Sequence, residues 1–161
     1  MILRAFMPFG LILLVALTAC APEYIPHGEM PARVVRVIDG DTLIVTVDGR
    51  REKVRLAGID TPEFAAPCET ERQLARAARA RLEALTAASP VIVLRPTVPY
   101  LWRRDKYGRL LARVRATSSA HSGLAHPGLS GPDLGTVMIR SGHARHWWPF
   151  TGKPNWCGDA S

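Results

Sequence analysis

Four acids and one arginine of the stretch Val37 to Glu63, VIDGDTLIVTVDGRREKVRLAGIDTPE, have the types and spacing to do chemistry together. The acids are Asp39, Asp41, Asp60 and Glu63, and the arginine is Arg55. Carboxylates are the ligands that hard cations take. A guanidinium fixed beside them offers a planar fork that fits a phosphate. The combination suggests a hard cation site next to a phosphate site.

Such residues work only if the chain folds back on itself, and its pattern says that it does. Thr42, Ile44 and Thr46 alternate with Leu43, Val45 and Val47, the period of a strand with one buried face. Asp48-Gly49 is the dipeptide that a two-residue hairpin turn prefers, because both central residues must accept positive φ. The return strand, Glu52 to Gly58, puts Val54 and Leu56 on one face and Lys53 and Arg55 on the other. The hairpin would bring Asp41, Arg55 and Asp60 to one end of a small sheet.

The whole chain has 161 residues, which suits one domain with a real core. Its net charge is +7, with 21 lysines and arginines against 14 acids. That balance suits a polyanionic partner, the plainer reading being a merely soluble basic surface. Residues 1–19 read as an export signal: Arg4 supplies the positive start, and the apolar run Leu11 to Leu17 is too short to span a bilayer. Leu17-Thr18-Ala19-Cys20 resembles the lipobox of bacterial lipoproteins, which implies cleavage before Cys20 and a lipid on its thiol. The expected place is therefore the bacterial cell envelope, anchored to a membrane through Cys20. The alternative is an ordinary cleaved signal with a chance cysteine. Residues 20–31 read as a proline-bearing tether. With Cys20 lipidated, Cys68 and Cys157 remain as a pair that an oxidising compartment would join, although they could also be unrelated thiols. Their spacing fits no zinc pattern.

Arg33 to Ile38 reads as the first strand, and Thr61-Pro62-Glu63 leaves the third. Glu69 to Ala88 is the clearest helix, with Leu74, Ala78, Leu82 and Leu85 on one face and Arg72, Arg76 and Arg79 on a solvated one. Thr70 with Gln73 could form a capping box, and Ser89-Pro90 ends the helix. Val91 to Leu94 is a fourth strand. Val98 to Arg104 and Leu110 to Arg115 flank Asp105-Lys106-Tyr107-Gly108-Arg109, a turn with glycine at the left-handed position. A short helix can run from Pro132-Asp133 through Arg140, stopped by Gly142. His143 and His146 are spaced to share a helix face, but without a third ligand they read as surface histidines. The expected fold is α+β, mainly β. It is a five-stranded Greek-key barrel of OB type with a helix between strands 3 and 4 and a short C-terminal helix.

Three blocks in order, DGDT at Asp39 to Thr42, RLAGIDTPE at Arg55 to Glu63 and DKYGR at Asp105 to Arg109, resemble the staphylococcal nuclease (thermonuclease) family. The resemblance runs from about Arg33 to Phe150 and implies a nuclease-like domain over residues 32–157, with 158–161 as a tail. It implies calcium as the cofactor, held by Asp41, Asp60 and the backbone carbonyl of Thr61, with Asp39 just behind them. Glu63 matches the general base, and Arg55 and Arg109 match the two arginines that hold the phosphate. Lys106 and Tyr107 match contacts to a terminal phosphate. Trp148 stands where the family usually has a tyrosine that packs on the base or sugar; the alternative is a tryptophan that covers the barrel near Cys157. The implied reaction is hydrolysis of DNA or RNA with little sequence preference, leaving 3′-phosphates, by a monomer. The rival reading is a non-catalytic OB-type lipoprotein that only binds nucleic acid.

Overall fold

The computed structural model describes residues 28–98, 101–117, 130–148 and 150–158. The stretch expected to be an export signal, Cys20 and the expected tether as far as residue 27 lie outside them. Eleven elements follow in order, beginning with the strands β1 (Met30–Asp39), β2 (Thr42–Val47), β3 (Arg50–Leu56) and β4 (Ile59–Asp60). Helix α1 (Glu69–Ala88) leads to β5 (Val91–Pro96), β6 (Arg103–Arg104), β7 (Leu110–Thr117) and β8 (Ser130–Asp133). Helix α2 (Leu134–Arg140) and β9 (Arg145–His146) close the chain.

Strand β1 pairs antiparallel with both β2 and β5, β2 with β3, and β5 with β7. A parallel pairing of β3 with β7 then closes the sheet into the expected five-stranded barrel of OB type. Inward positions alternate along each strand, so Leu43, Val45, Val54, Leu56, Ile92, Leu94, Ala112 and Val114 fill the interior. The turn between β2 and β3 has φ of 47° at Asp48 and 78° at Gly49, the left-handed pair that Asp-Gly predicts.

Helix α1 has the limits its periodicity predicts, but its details differ. Its N-cap is Cys68, whose sulfur accepts from the Glu71 backbone N–H, so no Thr70–Gln73 box forms. Its buried side is Ala75, Ala78, Leu82 and Thr86, while Leu74 is exposed and Leu85 only partly covered. A Cβ at Gly40, in the β1–β2 turn, would come within 2.8 Å of the Ala78 Cβ and 2.9 Å of the Thr61 Cβ and Oγ1. The helix approaches the turn this closely at Ala78, so glycine is demanded by space at position 40 and a small side chain at 78. Two other expectations shift. Strand β1 starts at Met30, inside the stretch read as tether. The run Val98 to Arg104 shrinks to β6 plus an isolated Val98–Leu101 bridge. That run contains Pro99, which cannot donate to a ladder.

Candidate active site

Asp41 ends the turn that follows β1, and its backbone N–H donates to Asp39 Oδ1 at 3.0 Å. That bond is a local aspartate turn, so the Asp39 carboxylate holds the loop's shape. Asp41 itself faces inward and is buried. Thr42 Oγ1 donates to its Oδ1 and Thr61 Oγ1 to its Oδ2, both at 3.0 Å. Register places Thr42 opposite Arg55 on β3. Arg55 Nη1 lies 3.0 Å from Asp41 Oδ2 and Nη2 lies 3.6 Å from Asp60 Oδ1. Nη1 also donates to the Leu56 carbonyl at 2.9 Å. The guanidinium is therefore buried and pinned between two acids, although the alternation of β3 alone would have left it facing solvent.

Asp60 is positioned by a strand pair that the sequence did not suggest. β4 pairs antiparallel with β9, placing Asp60 opposite Arg145, and the Trp147 N–H donates to the Gly58 carbonyl. His146 sits in β9 and His143 in the turn after α2, with its Nδ1 3.0 Å from Ser141 Oγ, so the two do not share a helix. Arg109 comes from the turn between β6 and β7, where Gly108 has φ of 74°. Its Nε donates to Asp105 Oδ2 at 2.7 Å and its Nη1 to Thr42 Oγ1 at 3.2 Å. Arg109, Thr42, Asp41, Arg55 and Asp60 thus form one continuous polar chain. Burial opposes ionisation of Asp105, but the bonds from Arg109 and from the Arg109 and Tyr107 backbones outweigh it and hold its pKa below the usual value. Tyr107 is exposed, with the Lys106 ammonium 5.0 Å and the Arg109 guanidinium 5.5 Å from its ring centre.

Glu63 is exposed, and its backbone N–H donates to Glu71 Oε1. Its carboxylate meets Lys153 Nζ at 2.7 Å, and the same nitrogen lies 3.8 Å from Asp60 Oδ1. The hydrogen bond with Glu63 raises the Lys153 pKa, its exposed setting notwithstanding. Trp156 Nε1 donates to Asp60 Oδ2 at 3.2 Å beneath the Arg145 guanidinium, 4.4 Å from its ring centre. Lys153 and Trp156 are site residues that sequence reasoning missed. A signal existed: they lie four residues and one residue before Cys157, and Cys68 and Cys157 form a disulfide that ties this tail to the loop after Glu63. Trp148 is more than half exposed, so it does not cover the barrel; the tryptophan beside Cys157, Trp156, is buried. Cys68, Glu71 and Cys157 crowd potential metal-ligand atoms together, but both sulfurs are committed to the disulfide.

Electrostatics bear on what this site can hold. Burial pushes the Asp41 carboxyl up to about 7, against the pull of Arg55 and with a push from Asp39. A buried carboxylate that one guanidinium does not fully compensate gains from a second cation. The oxygen donors of Asp41 and Asp60, with the Thr61 backbone carbonyl close by in sequence, form a set suited to a hard divalent ion such as calcium.

Comparison with known proteins agrees with this geometry. The sequence model described as staphylococcal nuclease homologue matches residues 53–155, more than half of the chain. The chain belongs to the staphylococcal nuclease family. It is 35% identical over 116 residues to a thermonuclease of Staphylococcus intermedius, covering 65% of this chain and 66% of that one. It is 33% identical over 150 residues to a micrococcal nuclease of Shigella flexneri, covering 88% and 75%. It is also 29% identical over 142 residues to an uncharacterized endonuclease of Escherichia coli, covering 88% and 72%. Membership of this nuclease family and the barrel fold are thus established together.

Proposed function

We propose that this member of the family is a calcium-dependent nuclease that hydrolyses phosphodiester bonds of DNA or RNA with little sequence preference. The observation that carries the reading is Arg55, buried between Asp41 and Asp60 and linked through Thr42 to Arg109. A module that only binds a polyanion gains nothing from burying two acids at its phosphate site, because they repel the ligand. A hydrolase needs them for a cation.

In this mechanism Asp41, Asp60 and the Thr61 carbonyl would hold calcium, which would supply Lewis-acid polarisation of the phosphate. Arg55 and Arg109 grip the phosphate oxygens and offset the charge that builds as phosphorus becomes five-coordinate. Glu63 accepts a proton from the attacking water, whose oxygen bonds to phosphorus as the bond to the 5′ oxygen breaks. The leaving 5′ oxygen takes a proton from solvent water, so the products are a 3′-phosphate and a 5′-hydroxyl. Lys153 fixes the carboxylate of Glu63, and Trp156 fixes that of Asp60. Lys106 and Tyr107, exposed beside Arg109, suit a contact with a neighbouring phosphate. Trp148 offers an exposed ring on which a base could stack.

The test is digestion of plasmid DNA and of RNA in calcium, in magnesium and in chelator. Cleavage of at least one polymer in calcium and none in chelator is expected. A folded protein that binds both polymers but cuts neither would transfer the case to the binding module.

The proposed setting is the outside of the bacterial cytoplasm, with the monomeric domain tethered by lipid on Cys20. The Leu17 to Cys20 pattern supports it, and so does a disulfide-bearing domain. Cys20→Ser is expected to abolish lipid labelling and release the protein from membranes; unchanged labelling would remove the anchor and leave the enzyme reading intact.

A further inference from the structure

The arginines of α1 and those of the β1–β3 face differ in their partners. On α1, Arg72 and Arg76 pair with Glu69 at 2.9 and 2.7 Å, and Arg79 pairs with Glu83 at 2.9 Å. That face neutralises itself. On the outer face of β1, β2 and β3, Arg33, Arg36, Arg51 and Lys53 are exposed and have no carboxylate partner among the described residues. Glu52, the acid on β3 beside them, is taken by Arg104 at 2.9 Å.

Register organises these free cations into rows. Arg51, Lys53 and Arg55 alternate along β3 on the side opposite Val54. Ile44 stands between Arg36 and Lys53, and Thr46 between Arg33 and Arg51. A register shift in β1 between Val34 and Arg36 leaves both Val35 and Arg36 on the outside. The row before these two is Thr42 with Arg55, whose guanidinium is proposed to hold the scissile phosphate. Rows two residues apart along a strand are about 7 Å apart, a step of the size that successive phosphates take in an extended polynucleotide. Between the rows runs a groove of about 620 Å³ lined by Val35, Arg36, Ile44, Arg51, Glu52 and Lys53. Its apolar centre, Val35 and Ile44, offers a surface for sugars or bases while the cations flank it.

From this we infer that the outer face of β1–β3 is a track for a single polynucleotide strand, leading to or from the phosphate held by Arg55. The inference rests on the nuclease reading for its substrate class. It adds that the chain engages several phosphates away from the scissile one, and so favours long, single-stranded substrate. An anionic membrane surface would also attract these cations, but only a linear polyanion exploits their alignment with Arg55.

The experiment compares the full chain with the triple variant Arg36→Gln/Arg51→Gln/Lys53→Gln. Binding of a long oligothymidylate is followed against salt in chelator, so that no cleavage intervenes. Each single-strand phosphate contact contributes about 0.7 to the slope of log affinity against log salt, so the triple variant should lose about 2 from that slope. At ~0.1 M salt this is about a 100-fold loss of affinity. Turnover of a thymidine dinucleotide in calcium should be unchanged, and Arg36→Lys/Arg51→Lys should keep the wild-type slope. The helix triple Arg72→Gln/Arg76→Gln/Arg79→Gln removes as much charge and should change the slope little. An unchanged slope in the sheet variant, or an equal loss in the helix variant, would overturn the track. So would a sheet variant that lost only its binding to phosphatidylglycerol vesicles. A wild type that cuts nothing in any cation would defeat the nuclease reading, while the slopes in chelator would still decide the track.

Discussion

Arg55→Ala is expected to lower turnover by about 10²- to 10³-fold and to destabilise the fold in chelator by about 3 kcal/mol. Both effects arise from one geometry. The side chain lies between Asp41 and Asp60, and its removal leaves buried Asp41 without its ion-pair partner and Asp60 with only the exposed Lys153 ammonium, 3.8 Å away. It also removes one of two guanidiniums placed to meet the charge that develops on the phosphate. The two effects separate in calcium, because an ion that binds only the native state restores stability by mass action. Calcium should therefore return much of the lost melting temperature and little of the lost turnover. Arg55→Lys keeps the charge but loses the fork that spans both acids, so it should fold better than alanine and still turn over slowly. Thermal melts with and without calcium, beside initial rates, check the whole pattern. A variant that regained full rate in calcium would show that Arg55 is structural only.

The second large effect concerns the tail. Cys68 and Cys157 are 89 residues apart, and breaking their bond should cost about 4 kcal/mol in the chain-entropy model. In a domain of this size that lowers the melting temperature by on the order of 10 °C or more. Cys157→Ala isolates the effect better than Cys68→Ser, because Cys68 also caps α1. Turnover should fall as well. Release of the tail removes Lys153 from Glu63 and the Trp156 N–H from Asp60. Trp156→Phe, with the disulfide kept, should lower turnover with a smaller loss of stability. Equal melting temperatures for wild type and Cys157→Ala under oxidising conditions would contradict the staple.

Much of this was written in local sequence signals. Asp48-Gly49 specified its turn, Ser89-Pro90 the end of α1, and alternation around Leu43 and Val45 the inward face of β2. The blocks around Asp41, Asp60 and Arg109 lie on turns whose shapes glycine and proline dictate, and the barrel brings those turns together. What escaped depended on contacts between distant parts. The buried side of α1, Ala75, Ala78, Leu82 and Thr86, is set by what the helix packs against, including Gly40 at Ala78, which no helical period records. The burial of Arg55 follows from two acids that cover it, one of them delivered by the short pairing of β4 with β9. Lys153 and Trp156 carry no motif, and only the Cys68–Cys157 bond placed them. The Cys20 anchor lies outside the described residues and stands on its sequence pattern alone.

The most direct test of a catalytic site, as opposed to a phosphate-binding one, is single-turnover cleavage by wild type and Glu63→Gln at saturating calcium. Glu63 contacts Lys153 rather than the buried acids, so the change should leave calcium affinity and folding nearly as they were. It removes the proton acceptor, and general-base catalysis contributes about 10²- to 10⁴-fold. Glu63→Gln is therefore predicted to cleave at least about 100-fold more slowly than wild type while binding the same substrate as tightly. Equal single-turnover rates for the two proteins would contradict the assignment of Glu63 as the base, and no cleavage by the folded wild type would contradict the enzyme itself.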